Sequence, residues 1–174
     1  ELSGYEIEIR QDMGRIWERL EGLSLGANAT FIDSEVTLPA DEAEKFIQPN
    51  IQAPMYKRDM TNAPEHLYNF FLTHELTPET QISLFYTIRG DTLIAGAGQA
   101  DGRFIPNVYE TEYGTLNLGL SHKLNDTWSL KFQAKNLLDP DIETVYRSPY
   151  IDGDRTKTSY RKGMEFSISI SARF

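Results

Sequence analysis

Met164-Glu165-Phe166-Ser167-Ile168-Ser169-Ile170-Ser171-Ala172-Arg173-Phe174 decides the fold, because every even position is apolar and every odd one is polar or charged. A period of two marks a strand with two unlike faces. The same alternation recurs upstream. Trp128, Leu130 and Phe132 oppose Lys131, Gln133 and Lys135, and Leu116, Leu118 and Leu120 oppose Thr115, Asn117 and Gly119. Ile82, Leu84, Tyr86 and Ile88 share one face of 81–88, although Phe85 interrupts the other; Tyr68, Phe70, Leu72 and Leu76 oppose Asn69 and Thr73. Leu23, Leu25, Ala27, Ala29 and Phe31 form a further face, as do Tyr5, Ile7 and Ile9. Together these predict about seven strands. All prolines, at 39, 49, 54, 64, 78, 106, 140 and 149, fall between or at the ends of the runs, as strands hydrogen-bonded on both edges require.

The connections alternate in length. Short ones are expected near 18–22, 77–80 and 125–127, and long ones over 39–63, 95–110 and 139–159. Tight turns at one rim and long loops at the other describe a membrane barrel meander. Connections this long are unusual in a compact soluble domain. Ile9, Met13, Ile16, Trp17 and Leu20 also sit at helical spacing, but Gly14 is a poor helix-interior residue, and a strand with a tight turn fits the meander better. A helical turn is expected at 41–47, after Pro39.

Composition narrows the function. The chain has 174 residues with 17 Lys+Arg against 26 Asp+Glu, a net charge of -9. That balance repels a phosphate backbone and argues against nucleic-acid partners. The absence of cysteine removes disulfides, thiolate metal sites and cysteine nucleophiles. No apolar run is long enough for a transmembrane helix, and the opening ELSGYEIEIR has no signal-peptide character. Its lack of an initiator Met points to a mature or excised chain. The mean hydropathy of -0.45 is compatible with a transmembrane β-barrel, whose strands alternate lipid-facing and lumen-facing residues.

Alternating strands are also common in soluble sandwiches and barrels. Three features favour lipid. The polar face, with Lys131, Gln133, Lys135, Glu165, Ser167 and Ser169, suits a wet lumen. Trp17, Trp128 and Phe174 fall at the short-turn rim while Tyr109, Tyr113, Tyr146 and Tyr160 fall near the long-loop rim, as two aromatic girdles would. Lastly, the chain stops on an aromatic at the end of a strand.

The terminal pattern Arg161-x-Gly163-x-x-Phe166-x-Ile168-x-Ile170, followed by Ala172-Arg173-Phe174, resembles the β-signal of bacterial outer-membrane proteins. AKNLLDPDIETVYR at 134–147 resembles the penultimate strand of TonB-dependent receptors. GYEIEIRQDM at 4–13, RLEGLSLGANATFIDSE at 19–35 and APEHLYNFFLTHEL at 63–76 resemble preceding strands of the same family in the same order. The resemblance covers essentially the whole of residues 1–174. It implies an all-β fold, an antiparallel transmembrane β-barrel meander of about seven strands belonging to a 22-stranded barrel. It also implies uptake of a scarce nutrient such as a ferric siderophore, no enzymatic activity and no cofactor. The implied partners are outer-membrane lipid and lipopolysaccharide, the barrel-assembly machinery reading the terminal signal, the rest of the receptor with its plug, and TonB through that plug. The C-terminus would be periplasmic and the long loops external. On this reading the chain is the C-terminal portion of a receptor without its plug. A small stand-alone outer-membrane barrel and a soluble ligand-binding barrel are the alternatives.

Residues suited to chemistry are few. His66, His74 and His122 lie on different strands without ligand spacing, so no metal site is expected. Asp139-Pro140-Asp141 and Asp152-Gly153-Asp154 are acidic turns that could hold calcium but more commonly are solvated. Gly96-Ala97-Gly98 with Gly102 has the composition of a phosphate loop without its strand-to-helix context, so a flexible external loop is expected. No nucleophile, base and orienting carboxylate are suggested, so no catalytic residue is expected. The candidate ligand-binding residues are Arg103, Tyr109, Tyr146, Arg147, Tyr150 and Arg155, because an anionic chelate or a sugar needs stacking surfaces and charge-assisted donors. The same residues could instead line the rim and contact lipopolysaccharide.

Overall fold

The computed structural model describes residues 1–43, 56–101, 103–148 and 152–173. In chain order the strands are β1 (Leu2–Asp12), β2 (Leu23–Ser34), β3 (Val36–Thr37), β4 (Lys57–Arg58), β5 (His66–Thr77), β6 (Thr80–Arg89), β7 (Thr92–Ala95) and β8 (Gly98–Ala100). They continue as β9 (Arg103–Ile105), β10 (Asn107–Glu110), β11 (Tyr113–Lys123), β12 (Trp128–Lys135), β13 (Ile142–Arg147), β14 (Arg155–Tyr160) and β15 (Glu165–Ala172), with one helical turn, α1 (Ala40–Ala43).

The alternating runs form one antiparallel seven-stranded sheet in the order β1-β2-β5-β6-β11-β12-β15. Register keeps like faces together. Ile7 pairs with Ala29, Ala29 with Tyr68, and Tyr68 with Ile88. Further along, Leu84 pairs with Leu118, Leu118 with Ala134, and Ala134 with Phe166. The opposite face carries Thr87, Asn69 and Asn28, joined across three strands by Thr87 Oγ1 donating to Asn69 Oδ1 and Asn69 Nδ2 donating to Asn28 Oδ1, each at 2.8 Å. A one-residue slip anywhere would exchange these faces, so the pattern fixes the register. Phe85, the interruption noted in the sequence, pairs with Phe71 on the polar face. The Phe71 ring lies where a Cβ on Gly26 would sit, and the Arg10 guanidinium stands 5.8 Å from the ring centroid.

Among the described residues, nothing covers the apolar face of this wall. Tyr5, Ile7 and Ile9 are more than 60% exposed, and Ile168 reaches 71%. Most of the fully buried apolar side chains lie elsewhere, in the long connections. Those connections were expected to be loops, but β7, β10, β13 and β14 build a second, four-stranded sheet in the order β14-β13-β10-β7. Leu93, Tyr109 and Val145 make its core, with Val108 and Ile142 also buried. Short strands such as Ile142-Glu143-Thr144-Val145 offer too few alternations to stand out from loop sequence. A smaller cluster joins Leu38 and Ala43 to Val36, Ala97 and Phe104, packing the first long connection against the β8–β9 hairpin and the residue just before it.

Three other segments differ from what the sequence pattern predicts. β1 ends at Asp12 and is followed by two 3-10 turns, Met13–Arg15 and Glu18–Leu20, so the first short connection spans 13–22. The glycine-rich stretch forms the β8–β9 hairpin, with Gly96 close against Arg58; Gly102 lies outside the described residues. The helical turn covers Ala40–Ala43, and 44–47 lie outside the described residues.

Candidate functional site

The candidate ligand residues sit on the long-connection side of the wall. Tyr109 (β10), Tyr146 and Arg147 (β13) and Arg155 (β14) all belong to the four-stranded sheet, whereas Arg103 lies exposed on the separate β8–β9 hairpin. Tyr150 lies outside the described residues.

Arg147 organises this sheet. Its Nε and Nη2 meet Asp154 Oδ1 and Oδ2 at 3.0 and 2.7 Å, and Nη2 also lies 2.7 Å from Asp91 Oδ2. The guanidinium stands 4.7 Å from the centroid of the Tyr109 ring. Tyr109 Oη in turn donates to Asp59 Oδ2 at 2.7 Å. One guanidinium and one phenol therefore tie together 59, 91, 109, 147 and 154, contributed by every long connection. Hydrogen bonds from Arg147 hold the Asp154 carboxyl below its usual range, and burial, followed by the bond to Asp59, holds the Tyr109 hydroxyl well above its own. At physiological pH the phenol is neutral and donates to Asp59, and the Asp154 carboxylate accepts from Arg147. This is a bidentate fork of the kind planar guanidinium geometry favours.

Tyr109 and Arg147 thus spend their polar groups inside the protein. Tyr109 is only 8% exposed, so it is no part of a lipid-facing girdle. Tyr113 shares the polar face of β11 with Thr115 and Asn117, which removes it from the girdle too. Trp17 and Trp128 do fall at the short-turn end, where Trp128 pairs with Ala172. Side chains presenting accessible chemistry are Arg103, Arg155 and Tyr146, whose ring has Lys157 Nζ at 5.5 Å.

A second constellation anchors β15. Asn136 has φ 56° and donates from its backbone N–H to Asn117 Oδ1 at 3.0 Å and from Nδ2 to the Gly163 carbonyl at 2.8 Å. Gly163, at φ 81°, donates its N–H to Asp139 Oδ1 at 2.8 Å. Arg161 forks onto Asp141 with bonds of 2.7 and 2.9 Å. Both acidic turns considered for calcium are thus engaged by cations or amides, and among the described residues no group of His, Asp and Glu has the geometry to hold a metal ion. Of the terminal pattern, Phe166, Ile168 and Ile170 lie on the apolar face; Phe174 lies outside the described residues. His66 bonds Glu112 at 2.8 Å, and His122 bonds Thr80 at the short-turn end.

The hub residues Asp59 and Asp91 carried no sequence signal, since isolated aspartates in connections look like solvated turns. Asn117 was legible only as a polar-face residue.

An open meander apolar on one face and polar on the other, with long connections gathered at one end, defines the wall of a large β-barrel. The family model for TonB dependent receptor-like β-barrels matches residues 1–137, and the chain belongs to that family. Among solved structures, the ferric citrate transporter FecA in its unliganded form aligns with a TM-score of 0.67 at 13% identity, over 99% of this chain and 24% of that one. A ferric enterobactin receptor mutant of PfeA from Pseudomonas aeruginosa, bound to enterobactin, gives 0.61 at 18% identity over 98% and 22%. The siderophore receptor PiuA from Acinetobacter baumannii gives 0.59 at 13% identity over 99% and 22%. The chain therefore spans about a quarter or less of the length of the receptors it matches. No curated protein matches by sequence.

Proposed function

We propose that residues 1–174 form the closing part of the barrel of an outer-membrane receptor that imports a ferric siderophore with energy supplied through TonB. The observation that carries this reading is the uncovered apolar face of the seven-stranded sheet, continuous from Ile7 to Ile168. In water such a face would be an aggregation surface; against hydrocarbon it is the required one. The edges agree. β1 pairs only with β2 and β15 only with β12 among the described residues, and lipid tolerates no unpaired edge, so further strands complete the wall.

In this arrangement the C-terminus and short turns are periplasmic, and the four-stranded sheet stands outside the cell. The polar face lines the lumen, with the plug packing against features such as the Phe71–Phe85 pair. Arg103, Tyr146, Tyr150 and Arg155 offer cations and rings to an anionic chelate or to lipopolysaccharide, while Arg147 and Tyr109 hold together the sheet that carries Tyr146 and Arg155. Arg161, Gly163, Phe166, Ile168, Ile170 and Phe174 form the signal read by the barrel-assembly machinery. The protein moves its substrate without transforming it. The relatives' names supply the substrate class: ferric citrate, ferric enterobactin and siderophore.

The test is the native product carrying this C-terminus. A membrane-embedded protein several times 19.9 kDa, migrating faster unboiled than boiled, is expected, and its deletion should abolish uptake of radiolabelled iron from one siderophore. A soluble product, or unchanged iron uptake from every siderophore the cell uses, would overturn the proposal.

A further inference from the structure

A cavity of about 390 Å³ opens on the polar face of the wall, beside the turn that joins β14 to β15. Arg89 and Thr87 of β6 pair with Tyr113 and Thr115 of β11, and Lys135 of β12 pairs with Glu165 of β15, so its floor crosses these strands. Leu67, Ile142 and Met164 give it apolar walls, and the Tyr113 ring adds an aromatic one. Most cations near it are spent. Arg147 and Arg161 fork onto carboxylates, and Lys135 meets Glu165 at 3.0 Å. Arg89 and Lys162 differ. Arg89 Nε donates to Thr92 Oγ1 at 3.2 Å, but its Nη1 stands 3.8 Å from Glu110 Oε1, too long for a hydrogen bond. Among the described residues Lys162 has no ion pair, and Tyr113 Oη and Asn117 Nδ2 have no hydrogen-bond partner.

The lining therefore carries Arg89, Lys135 and Lys162 against the single carboxylate of Glu165, in a chain of net charge -9. Glu110 and Asp139 stand outside it, the second held by the Gly163 N–H at 2.8 Å, so they offset the field without occupying the surface a ligand would touch. Free donors, apolar walls and one ring face suit an occupant that is both anionic and aromatic. We infer that this cavity binds one anionic aryl arm of the ferric chelate, with the ring against Tyr113 and its oxygens on Arg89 and Lys162. An aliphatic polycarboxylate would press charged oxygens against Leu67 and Ile142, and a neutral sugar would leave both cations unpaired. The volume lies near the lower end of the range for small-molecule sites, roughly 300 to 1,000 Å³, so it takes one arm and not the whole complex.

The inference rests on the transport reading, in which the polar face lines the lumen, and it narrows the substrate to an aryl chelate. The experiment titrates the full-length receptor in detergent with a ferric tricatecholate, a ferric trihydroxamate and ferric citrate, following the quenching of tryptophan fluorescence. The tricatecholate should bind at least tenfold more tightly than the other two. Lys162→Gln should weaken it about fivefold, the worth of one exposed charge pair, and Arg89→Gln about tenfold, as loss of a charge-assisted bond does. Lys131→Gln, on the same polar face of β12 but outside the cavity, should bind as wild type does. Failure of the wild type to bind the tricatecholate, or unchanged binding in folded Lys162→Gln and Arg89→Gln, overturns the site. Unchanged binding with faster amide exchange in the plug of both variants would give the cavity to a plug carboxylate, which also overturns it. A receptor that binds some other chelate and imports its iron leaves the transport reading standing while the aryl site falls; one that supports no iron uptake at all is a failure of the transport reading, and the inference falls with it.

Discussion

Arg147 grips Asp154 through two nitrogens, Nε to Oδ1 at 3.0 Å and Nη2 to Oδ2 at 2.7 Å, while the same Nη2 reaches Asp91. The grip spans the turn between β13 and β14 and fastens it to the start of β7. Lysine keeps the charge but cannot fork. Both partners are about a third exposed, which reduces a charge-assisted pair to about 1 kcal/mol. Arg147→Lys in the full receptor should therefore speed amide hydrogen exchange in β13, β14 and β7 about fivefold, the equivalent of that energy. Exchange in β11 and β12 should not change.

The same pair sets an acid limit. Arg147 depresses the folded-state pKa of Asp154 below its unfolded value. Its stabilising contribution is therefore fully present above about pH 4, the unfolded carboxylate range, and is lost as pH falls through the lower folded value. After correction for intrinsic exchange, protection of β13 and β14 should be flat from neutral pH to about 5 and fall below about 4. Asp141, depressed by its bond from Arg161, titrates in the same window at the other end of the sheet. Asp154→Asn should show weaker protection near Arg147 at neutral pH and no local acid step there. Persistence of that step in the variant would assign it elsewhere.

The two faces of the wall should respond oppositely to charge. Leu118 and Phe132 lie on the apolar face, and Gln133, one residue from Phe132, lies on the polar face opposite Ser167. Leu118→Arg or Phe132→Arg should each cost roughly 2 to 4 kcal/mol at mid-membrane depth, whereas Gln133→Arg should cost under about 1. Denaturant midpoints of the receptor refolded in lipid vesicles measure the difference. Tolerance of arginine at both Leu118 and Phe132 would remove the membrane reading.

These predictions separate what pattern reveals from what it hides. The wall was legible because each strand repeats its alternation long enough to exceed chance, as Phe166, Ile168 and Ile170 do, and because hairpin register follows from it. The second sheet was not legible. β10 is the four residues Asn107–Glu110, and its buried Tyr109 has a polar tip that, read from sequence, suits a girdle equally well. Arg147 was picked out as a binding cation by residue type. Its commitment to Asp91 and Asp154 depends on strands distant in sequence meeting across β7, β10 and β13, which no local pattern encodes. Trp17 was placed correctly at the rim because the position of a short turn is a local property.

Asn136 offers the most specific test of how the last strand is started. Its φ of 56° costs an alanine about 1 to 2 kcal/mol but a glycine little. Its Nδ2 bond to the Gly163 carbonyl is worth about 1 kcal/mol more. Oδ1 of the same side chain is buried with no hydrogen-bond partner, so removing it relieves a small penalty. Asn136→Ala should therefore destabilise the receptor by about 2 kcal/mol and Asn136→Gly by under about 1, since glycine loses the side-chain bond but keeps the backbone conformation. If the two variants unfold at the same denaturant concentration, the left-handed backbone at Asn136 contributes nothing, and the loss both variants share is that of the side-chain bond to Gly163.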